Sequence, residues 1–368
     1  MSTTEFPTLL SSLDLPGGRT LQNRIVMPPM VIWRADKSGR VRDEHVRHYA
    51  ESAPGTGLAI VEATAVLPEG RLAATVLGLF DDTQVAGMAD LVHALKNAST
   101  LPAIQLHHAG AKTDPEQTYG LAPVAPSRLP ERDDLEILDE EGIERIIASF
   151  GEAARRAVEA GFELIEVHGA HGYLGAQFLS PRTNRREDAW GGSLENRLRF
   201  LREVIRRVRT ELDGQALVSC RLGVAEGGDG GLTVEEGVQA AKQLEKEGLD
   251  LIHVSHAGSR PEPLEKGSRF DSLLQLAKPV KEAVTIPVIG VGGIADPADA
   301  EAALAAGYGD LVAVGRGILA DPGWARKISE GKAEQIVQCV KCQPRCYHQT
   351  DPRLCPTRNR LGIQPPGM

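Results

Sequence analysis

Two histidines and a tyrosine stand close together at the predicted end of a buried strand, in the run 167–173, which reads V-H-G-A-H-G-Y. An imidazole can donate a hydrogen bond to an oxygen that gains negative charge, and a tyrosine hydroxyl can deliver a proton to carbon. The alternatives are a zinc pair or hydrogen-bonded core histidines, but zinc would need a third ligand that this segment does not supply. Glycines on both sides favour close approach of something flat. We therefore interpret His168, His171 and Tyr173 as candidate catalytic residues.

Four cysteines crowd into the C-terminal region with the spacing C-x2-C-x3-C-x8-C, at Cys339, Cys342, Cys346 and Cys355. Four thiolates at such spacings are the ligand set of a [4Fe–4S] cluster or of a structural zinc. The sequence therefore predicts a metal site in this tail rather than disulfides. The fifth cysteine, Cys220, lies between apolar residues of a predicted strand and is expected to be an inert part of the core.

These residues must be positioned by an alternating pattern of strands and helices. Eight short apolar runs read as strands, and helical patterns separate nearly all of them. The predicted strands are 23–27, 58–64, 101–107, 164–168, 216–222, 251–255, 287–291 and 311–315. Between the third and fourth predicted strands, a stripe of apolar residues in 140–160 predicts a long helix that ends at Gly161.

A (β/α)8 barrel of the α/β class is the fold that this pattern favours. No G-x-G-x-x-G follows the first strand, which argues against an open dinucleotide-binding sheet. Long loops after the third and fourth strands lie where a barrel builds its active site. We expect the barrel to occupy residues 1–335 and the cysteine tail to occupy residues 336–368.

Composition limits the class of partner. The chain has 368 residues, 42% of them hydrophobic, and a formal net charge of -9, so it lacks the basic surface that nucleic acid or an anionic membrane would require. The N-terminus shows no secretory signal, and no apolar run is long enough to span a membrane. A small-molecule substrate and a cytoplasmic location are therefore expected.

The run 166–200, E-V-H-G-A-H-G-Y-L-G-A-Q-F-L-S-P-R-T-N-R-R-E-D-A-W-G-G-S-L-E-N-R-L-R-F, resembles the signature of the Old Yellow Enzyme family. Members of that family are FMN-dependent ene-reductases, NAD(P)H:flavin oxidoreductases built on (β/α)8 barrels. Other segments agree in the same order, namely M-P-P-M at 27–30, V-E-A-T at 61–64, Gln105, Arg221 and Gly315-Arg316. The resemblance extends from about Leu13 to Trp324.

Carried over residue by residue, the resemblance implies an FMN site. The implied flavin-binding residues are Pro28, Pro29, Met30, Ala63, Gln105, Arg221, Gly292, Gly293, Gly315 and Arg316. Gln105 would hydrogen-bond the polar edge of the ring, and Arg221 would stabilise the negative charge of reduced flavin near its N1 and O2. An internal ion pair is the alternative explanation for Arg221. The glycines and Arg316 would bind the phosphate.

The same resemblance implies the chemistry. His168 and His171 would hold the carbonyl oxygen of an α,β-unsaturated substrate, and Tyr173 would supply the proton to its α-carbon. NAD(P)H would bind transiently over the same face of the flavin and reduce it.

The chain departs from the family pattern near the first and sixth strands. Val31 stands where some bacterial members carry a cysteine, and Trp33 stands where they place a substrate-facing tyrosine. Trp33 is therefore a candidate substrate contact or a buried aromatic residue. His256 resembles a histidine that dienoyl-CoA reductases place near the substrate, and a solvated loop is the alternative.

The cysteine tail resembles the iron–sulfur motif of 2,4-dienoyl-CoA reductase, trimethylamine dehydrogenase and enoate reductase, in which the last spacing tends to be longer. A further flavin- and nucleotide-binding region follows in those proteins, whereas this sequence ends at Met368. The resemblance therefore implies an external reductase or ferredoxin as electron donor. A working cluster, a cluster kept for structure, and zinc stay open as alternatives.

Three functions fit the sequence. The first is reduction of an activated C=C bond, and the second is an amine dehydrogenase or demethylase, suggested by the tail. The first histidine of the pair argues against the second, since trimethylamine dehydrogenase has a tyrosine there. The third is a flavin-free barrel that serves as a subunit or scaffold. Homo-oligomerisation is also left open.

Overall fold

The structure is a computed structural model, and it describes residues 5–343, 346–350 and 352–362. Its strands, in chain order, are β1 (Leu13–Leu15), β2 (Arg19–Leu21), β3 (Ile25–Met27), β4 (Leu58–Ala65), β5 (Leu101–His107), β6 (Val124–Ala125), β7 (Glu136–Ile137), β8 (Leu164–Gly169), β9 (Leu217–Gly223), β10 (Leu251–Ser255), β11 (Val288–Val291) and β12 (Leu311–Ala313).

Eight of these strands form a closed parallel barrel in the order β10-β11-β12-β3-β4-β5-β8-β9. Each corresponds to one of the eight predicted runs, so the predicted (β/α)8 barrel is confirmed. The β1/β2 hairpin and the short β6/β7 pair were not predicted. Strands of two or three residues are too short to show a periodic pattern unless they lie within a longer predicted run, as β3 and β12 do.

Helices cover the outside of the barrel and extend into the tail. They are α1 (Asp43–Ser52), α2 (Val85–Asn97), α3 (Glu140–Glu159), α4 (Leu174–Leu179), α5 (Leu194–Leu212), α6 (Val234–Lys246), α7 (Ser272–Gln275), α8 (Ala277–Ala283), α9 (Pro297–Ala305), α10 (Arg316–Ala320), α11 (Trp324–Ser329), α12 (Tyr347–Thr350) and α13 (Pro356–Leu361). The predicted long helix corresponds to α3, and Gly161 follows it with φ +99°. Within the described ranges, no helix combines the length and apolar character needed to cross a membrane.

The inward faces of the strands change from apolar to polar along the barrel axis. The first inward residues, such as Leu164, Leu217 and Leu251, form an apolar cluster together with Leu15 and Leu21 of the N-terminal hairpin. The residues between them on each strand point outward into the larger core under the helices. Because side chains alternate along a strand, the next inward positions carry polar side chains toward the carboxyl ends. The hairpin therefore closes the bottom of the barrel, and the polar groups gather at the top.

Helix α4 is tied to the barrel wall by close packing. The ring of Phe178 stacks on that of Phe200 in α5, with centroids 4.4 Å apart and planes 7° from parallel. A Cβ on Gly175 would lie 2.8 Å from a methyl group of Leu201 and 3.0 Å from the carbonyl oxygen of His168. Only glycine therefore allows α4 to approach β8 this closely, and this approach sets the position of Tyr173, which immediately precedes α4.

The tail packs against the outside of the barrel through a buried arginine. Arg358 of α13 is 1% exposed, and its guanidinium lies 3.5 Å from Glu51 of α1 and 3.1 Å from the Nε2 of His348. The predicted tail also includes residues 344–345, 351 and 363–368, which lie outside the described residues. The boundary at 335/336 stays a prediction.

We expect Phe178→Ala to lower the free energy of unfolding by about 3–5 kcal/mol, because it removes a fully buried ring and leaves a cavity. Chemical denaturation followed by circular dichroism measures this change. Leu264→Ala is the matched control, since Leu264 is 45% exposed and its loss should change stability by about 0.5 kcal/mol or less. Equal effects of the two substitutions would contradict the packing described here.

Candidate active site

A cavity of about 430 Å³ opens at the carboxyl ends of the barrel strands. Its lining brings together the predicted substrate and flavin residues from all parts of the chain. These are Pro28, Pro29, Met30, Trp33, Ala63, Gln105, His168, His171, Tyr173, Arg221, Gly292, Gly293, Gly315 and Arg316. The volume lies within the range of small-ligand sites.

The turn that carries the two histidines and the tyrosine is held rigidly from both sides. His171 has φ +60°, a left-handed conformation that is uncommon for a residue with a side chain. Its backbone N–H donates to the carbonyl of His256 at 2.9 Å, and its carbonyl accepts from the Nζ of Lys112 at 2.7 Å. Gln177 donates to the carbonyl of Gly172 at 2.8 Å. Loops after two other strands therefore hold the unusual backbone in place, as strained turns at functional sites require.

Neighbouring backbone sets the tautomer of His168. The backbone N–H of Ala170 lies 3.2 Å from the Nδ1 of His168, which must therefore be the acceptor nitrogen. Burial, assisted by nearby His171 and His107, lowers the pKa of His168 well below its usual value, so the ring is neutral. A neutral imidazole that accepts at Nδ1 carries its proton on Nε2. His168 is thus a hydrogen-bond donor through Nε2.

The tautomer of His171 depends on a serine of β10. The Nε2 of His171 lies 2.7 Å from the hydroxyl of Ser255, which is 1% exposed. If this hydroxyl donates, His171 carries its proton on Nδ1. Burial, assisted by Arg221 and His256, lowers the pKa of His171 well below its usual value. Both imidazoles are therefore neutral.

Tyr173 completes a cluster of rings. Its ring centroid lies 5.1 Å from that of His168 and 6.5 Å from that of His171. Burial raises the pKa of Tyr173, and the positive charge of Arg221 acts in the opposite direction. The phenol is therefore protonated at neutral pH, and a cation stands nearby to stabilise it after the proton has left.

The same cavity also has features that suit a flavin. Arg221 is 9% exposed, and its Nε has no hydrogen-bond partner among the described residues. Gly292 and Gly293 have φ values of +144° and +67°, which side chains rarely allow, so their backbone is free to approach a phosphate. A buried cation and a glycine-lined end are the donors that a flavin ring and its phosphate require.

An acidic side chain also lines the glycine end of the cavity. Asp271 accepts from the backbone N–H of Leu273 at 2.9 Å and pairs with Arg260. The Arg260 pairing offsets the negative charge that would otherwise repel a phosphate.

Of the two other predicted substrate residues, Trp33 lines the cavity and His256 does not. Trp33 lines the cavity with φ +57°. His256 does not line it; its Nδ1 lies 2.8 Å from the carbonyl oxygen of Gly258, and its ring lies 4.9 Å from that of His171. The substrate role of His256 stays a prediction.

The cysteine tail reaches the cavity but does not gather its thiols. Cys339 and Cys346 line the cavity, whereas Cys342 and the buried Cys355 do not. Within residues 5–343, 346–350 and 352–362, no group of three or more His, Cys, Asp or Glu side chains is placed to hold a metal ion. The described residues therefore show no assembled ligand set for a [4Fe–4S] cluster or zinc, and the predicted metal site is not confirmed. Cys220 is fully buried in the core, as expected, and burial raises the pKa of its thiol.

Four polar residues near the site were not proposed from sequence, namely Ser255, Glu166, His253 and His107. Glu166 and His253 form a buried pair inside the barrel, and His107 lies edge-on to Tyr173 with centroids 4.4 Å apart. Every one of them ends a strand or follows an apolar inward residue by two or four positions. The two-residue alternation of buried strands is thus the signal that could have identified them.

Comparisons with known proteins agree with this geometry. The model of the NADH:flavin oxidoreductase / NADH oxidase family matches residues 13–335. The chain is 44% identical over 356 residues to an NADH oxidase of Thermoanaerobacter brockii, which covers 93% of this chain and 54% of that relative. It is 40% identical over 315 residues to an NADPH dehydrogenase of Halalkalibacterium halodurans, and this match covers 84% of this chain and 90% of that relative. The chain therefore spans about half the length of the first relative and most of the second.

Solved structures show the same similarity. A 2-naphthoyl-CoA reductase in complex with 2-naphthoyl-CoA superimposes with a TM-score of 0.85 at 28% identity, covering 93% of this chain and 55% of that one. An Old Yellow Enzyme homologue from Zymomonas mobilis superimposes with a TM-score of 0.78 at 26% identity, and the match covers 91% of this chain and 95% of that one. Histamine dehydrogenase from Rhizobium sp. 4-9 gives 0.79 at 28%, covering 92% and 50%.

The family match spans the whole barrel and includes every strand that contributes to the cavity. The family resemblance predicted from the run 166–200 and the other matching segments is therefore confirmed. This chain belongs to the NADH:flavin oxidoreductase / NADH oxidase family, a family of flavin-dependent oxidoreductases.

Proposed function

We propose that this protein reduces the activated C=C bond of an α,β-unsaturated carbonyl or enoyl compound. The observation that carries this proposal is the ring cluster of His168, His171 and Tyr173, which presents neutral hydrogen-bond donors and a protonated phenol to one cavity. Donors that line one cavity suit an oxygen that becomes negative as hydride reaches the β-carbon. A phenol beside them suits protonation of the α-carbon.

Bound FMN would supply the hydride, after accepting two electrons from NAD(P)H or from a protein donor. The chain's contribution is to hold the flavin and the substrate against each other. Pro28, Pro29, Met30 and Ala63 would contact the ring, and Gln105 and Arg221 would meet its polar edge. Gly292, Gly293, Gly315 and Arg316 would bind the phosphate.

The protonation states of the three rings suit this reaction. His168 donates through Nε2, and His171 would donate through Nδ1 when the Ser255 hydroxyl donates to its Nε2, so the substrate oxygen would receive two hydrogen bonds without a full positive charge beside it. Tyr173 loses its proton in the reaction, and the resulting phenolate is stabilised by Arg221 and by the Nζ of Lys112, which lies 5.1 Å from the ring centroid. Solvent can then return the proton.

Amine oxidation is the second candidate, because the histamine dehydrogenase structure is a close match. The hydrogen-bond donors of the two imidazoles argue against amine oxidation. The Nδ1 of His168 accepts from the N–H of Ala170, and a donating Ser255 hydroxyl would occupy the Nε2 of His171, so the Nε2 of His168 and the Nδ1 of His171 would remain as donors. A protonated amine needs acceptors instead. Anaerobic mixing with cyclohexenone or with methylated amines separates the two functions by which compound changes the flavin spectrum.

We expect Tyr173→Phe to slow reoxidation of the reduced flavin by cyclohexenone about 100-fold or more, because the variant lacks the proton donor. Flavin reduction by NAD(P)H should change by about twofold or less, since that half-reaction needs no proton at carbon. Anaerobic stopped-flow absorbance measures both rates. Tyr119→Phe, at a tyrosine that is 41% exposed, is the control and should leave both rates unchanged. Equal slowing of both half-reactions by Tyr173→Phe would overturn the assigned role.

We expect Ser255→Ala to weaken binding of a carbonyl ligand about tenfold, because His171 can then present its acceptor nitrogen to the oxygen. Spectral titration of the oxidised holoenzyme measures the dissociation constant. In a His171→Ala background the same change should have no further effect, since the coupling acts through that ring. Ser255→Thr keeps the hydroxyl and should restore binding; additive losses in the double variant would count against this assignment.

For the tail we propose metal binding through the four cysteines, on their spacing and on the position of Cys339 and Cys346 at the cavity. We expect anaerobically purified protein to contain either iron with equimolar sulfide or zinc, and Cys342→Ser to reduce that content. Cys220→Ala is the control, because the Cys220 thiol is buried in the core. Protein that is free of iron and zinc after anaerobic purification would end the metal proposal and leave the flavin proposal standing.

A further inference from the structure

A fully buried carboxylate lies beneath the cavity and has no part in the chemistry described so far. Glu166 is 0% exposed and stands on the inward face of β8, between apolar Leu164 and cavity-lining His168. An isolated carboxylate in this position would be strongly unfavourable, so its partners must account for it.

Two hydrogen bonds and one cation surround Glu166. The Nε2 of Gln105 donates to its Oε1 at 2.8 Å, and the Nδ1 of His253 lies 2.9 Å from its Oε2. Gln105 and His253 are 1% and 0% exposed. Burial lowers the pKa of Arg221, and the negative charge of Glu166 opposes that effect. The strand register places Gln105 beside Glu166, and Arg221 beside both His168 and His253.

The first consequence concerns the orientation of Gln105. One N–H of its amide donates to Glu166 and fixes the rotation of the amide group, which leaves the carbonyl oxygen able to accept a hydrogen bond from a ligand in the cavity. The polar edge of an isoalloxazine carries one N–H donor between two carbonyl oxygens. Gln105 therefore offers that N–H an acceptor, and an amide turned the other way would face the two carbonyls.

The second consequence concerns charge. A guanidinium at the flavin edge stabilises the reduced, anionic form and makes the flavin a weaker reductant. A carboxylate buried close to Arg221 offsets part of that positive charge in a region of low dielectric constant. The flavin then donates hydride more readily than it would beside an unopposed arginine.

We propose that Glu166 is a positioning residue that tunes the reducing power of the bound flavin, by partly neutralising Arg221 and by fixing the orientation of Gln105. This inference rests on the flavin site proposed above. His253 supports it by donating to the second carboxylate oxygen, which keeps Glu166 in place.

The test is the two-electron midpoint potential of the FMN-bound enzyme, measured by anaerobic equilibration with a reference dye. We expect Glu166→Gln to favour the reduced flavin about tenfold or more, a positive shift of about 30 mV or more for a two-electron couple. An unchanged potential in folded, FMN-loaded Glu166→Gln protein would overturn the inference. Failure of the unsubstituted protein to bind FMN would instead overturn the flavin site itself, so the two failures are distinguishable.

Glu62→Gln is the matched control. Glu62 is also 0% exposed, and it precedes a cavity-lining residue, Ala63. Its carboxylate accepts from the backbone N–H of Ile32, on the opposite face of the strand from the cavity. Burial raises the pKa of Glu62 to about 8, so it is largely uncharged at neutral pH and the amide changes little. We expect its potential to equal that of the unsubstituted enzyme.

Glu166→Asp tests the orientation of Gln105 separately, and it keeps the experiment decisive if Glu166→Gln does not fold. The shorter side chain keeps the negative charge but withdraws from Gln105. We expect the flavin equilibrium to stay within about twofold of the original while the dissociation constant for FMN rises about fivefold or more. An unchanged dissociation constant would refute the positioning of Gln105, and a tenfold shift in the flavin equilibrium would refute the charge argument.

Discussion

Removal of water from the carboxyl ends of the barrel strands governs the charge of every ring in the cavity. Burial is the largest cause of the lowered pKa values of His168 and His171 and of the raised pKa of Tyr173. In water the histidines would titrate near neutral pH and would be protonated in part. Inside the barrel they are neutral, so each ring has one donor and one acceptor nitrogen. The chemistry then depends on which nitrogen faces the ligand, and a hydrogen bond at the other nitrogen decides that.

The barrel supplies these orienting groups because its closure brings distant strands into one interior. Ser255 and His171 are 84 residues apart, and His253 and Glu166 are 87 apart, yet both pairs are within hydrogen-bonding distance. The lower half of the interior is apolar and includes residues of the β1/β2 hairpin, and Glu166 above it is fully buried. The negative charge of Glu166 opposes the effect of burial on Arg221. Buried polar side chains thus lie directly beneath the residues that we propose to bind the flavin.

The tail adds a second element at the same opening. Cys339 and Cys346 share the cavity wall with the residues that the family resemblance assigns to the flavin, and Arg358 anchors the following helix on α1. This chain covers 55% of the reductase with 2-naphthoyl-CoA and 50% of the histamine dehydrogenase. Two thiols of the tail lie at the cavity, but the described residues do not form a metal site.

Much of the architecture was determined by local sequence. The apolar runs, their spacing and the 166–200 motif predicted the barrel, the family and the residues that line the cavity, because strand periodicity and a contiguous motif are read from neighbouring positions. The motif did not reveal that hydrogen bonds from Ala170 and with Ser255 influence the tautomers of His168 and His171. It also did not reveal that Glu166 lies between Gln105 and His253, or that the cysteines are not brought together in the described part of the tail. Those features are contacts between residues far apart in the chain, and only closure of the barrel and docking of the tail bring them together. Hydrogen bonding and desolvation act over a few ångströms in space, so sequence alone specified the groups while the tertiary structure decided their protonation, orientation and partners.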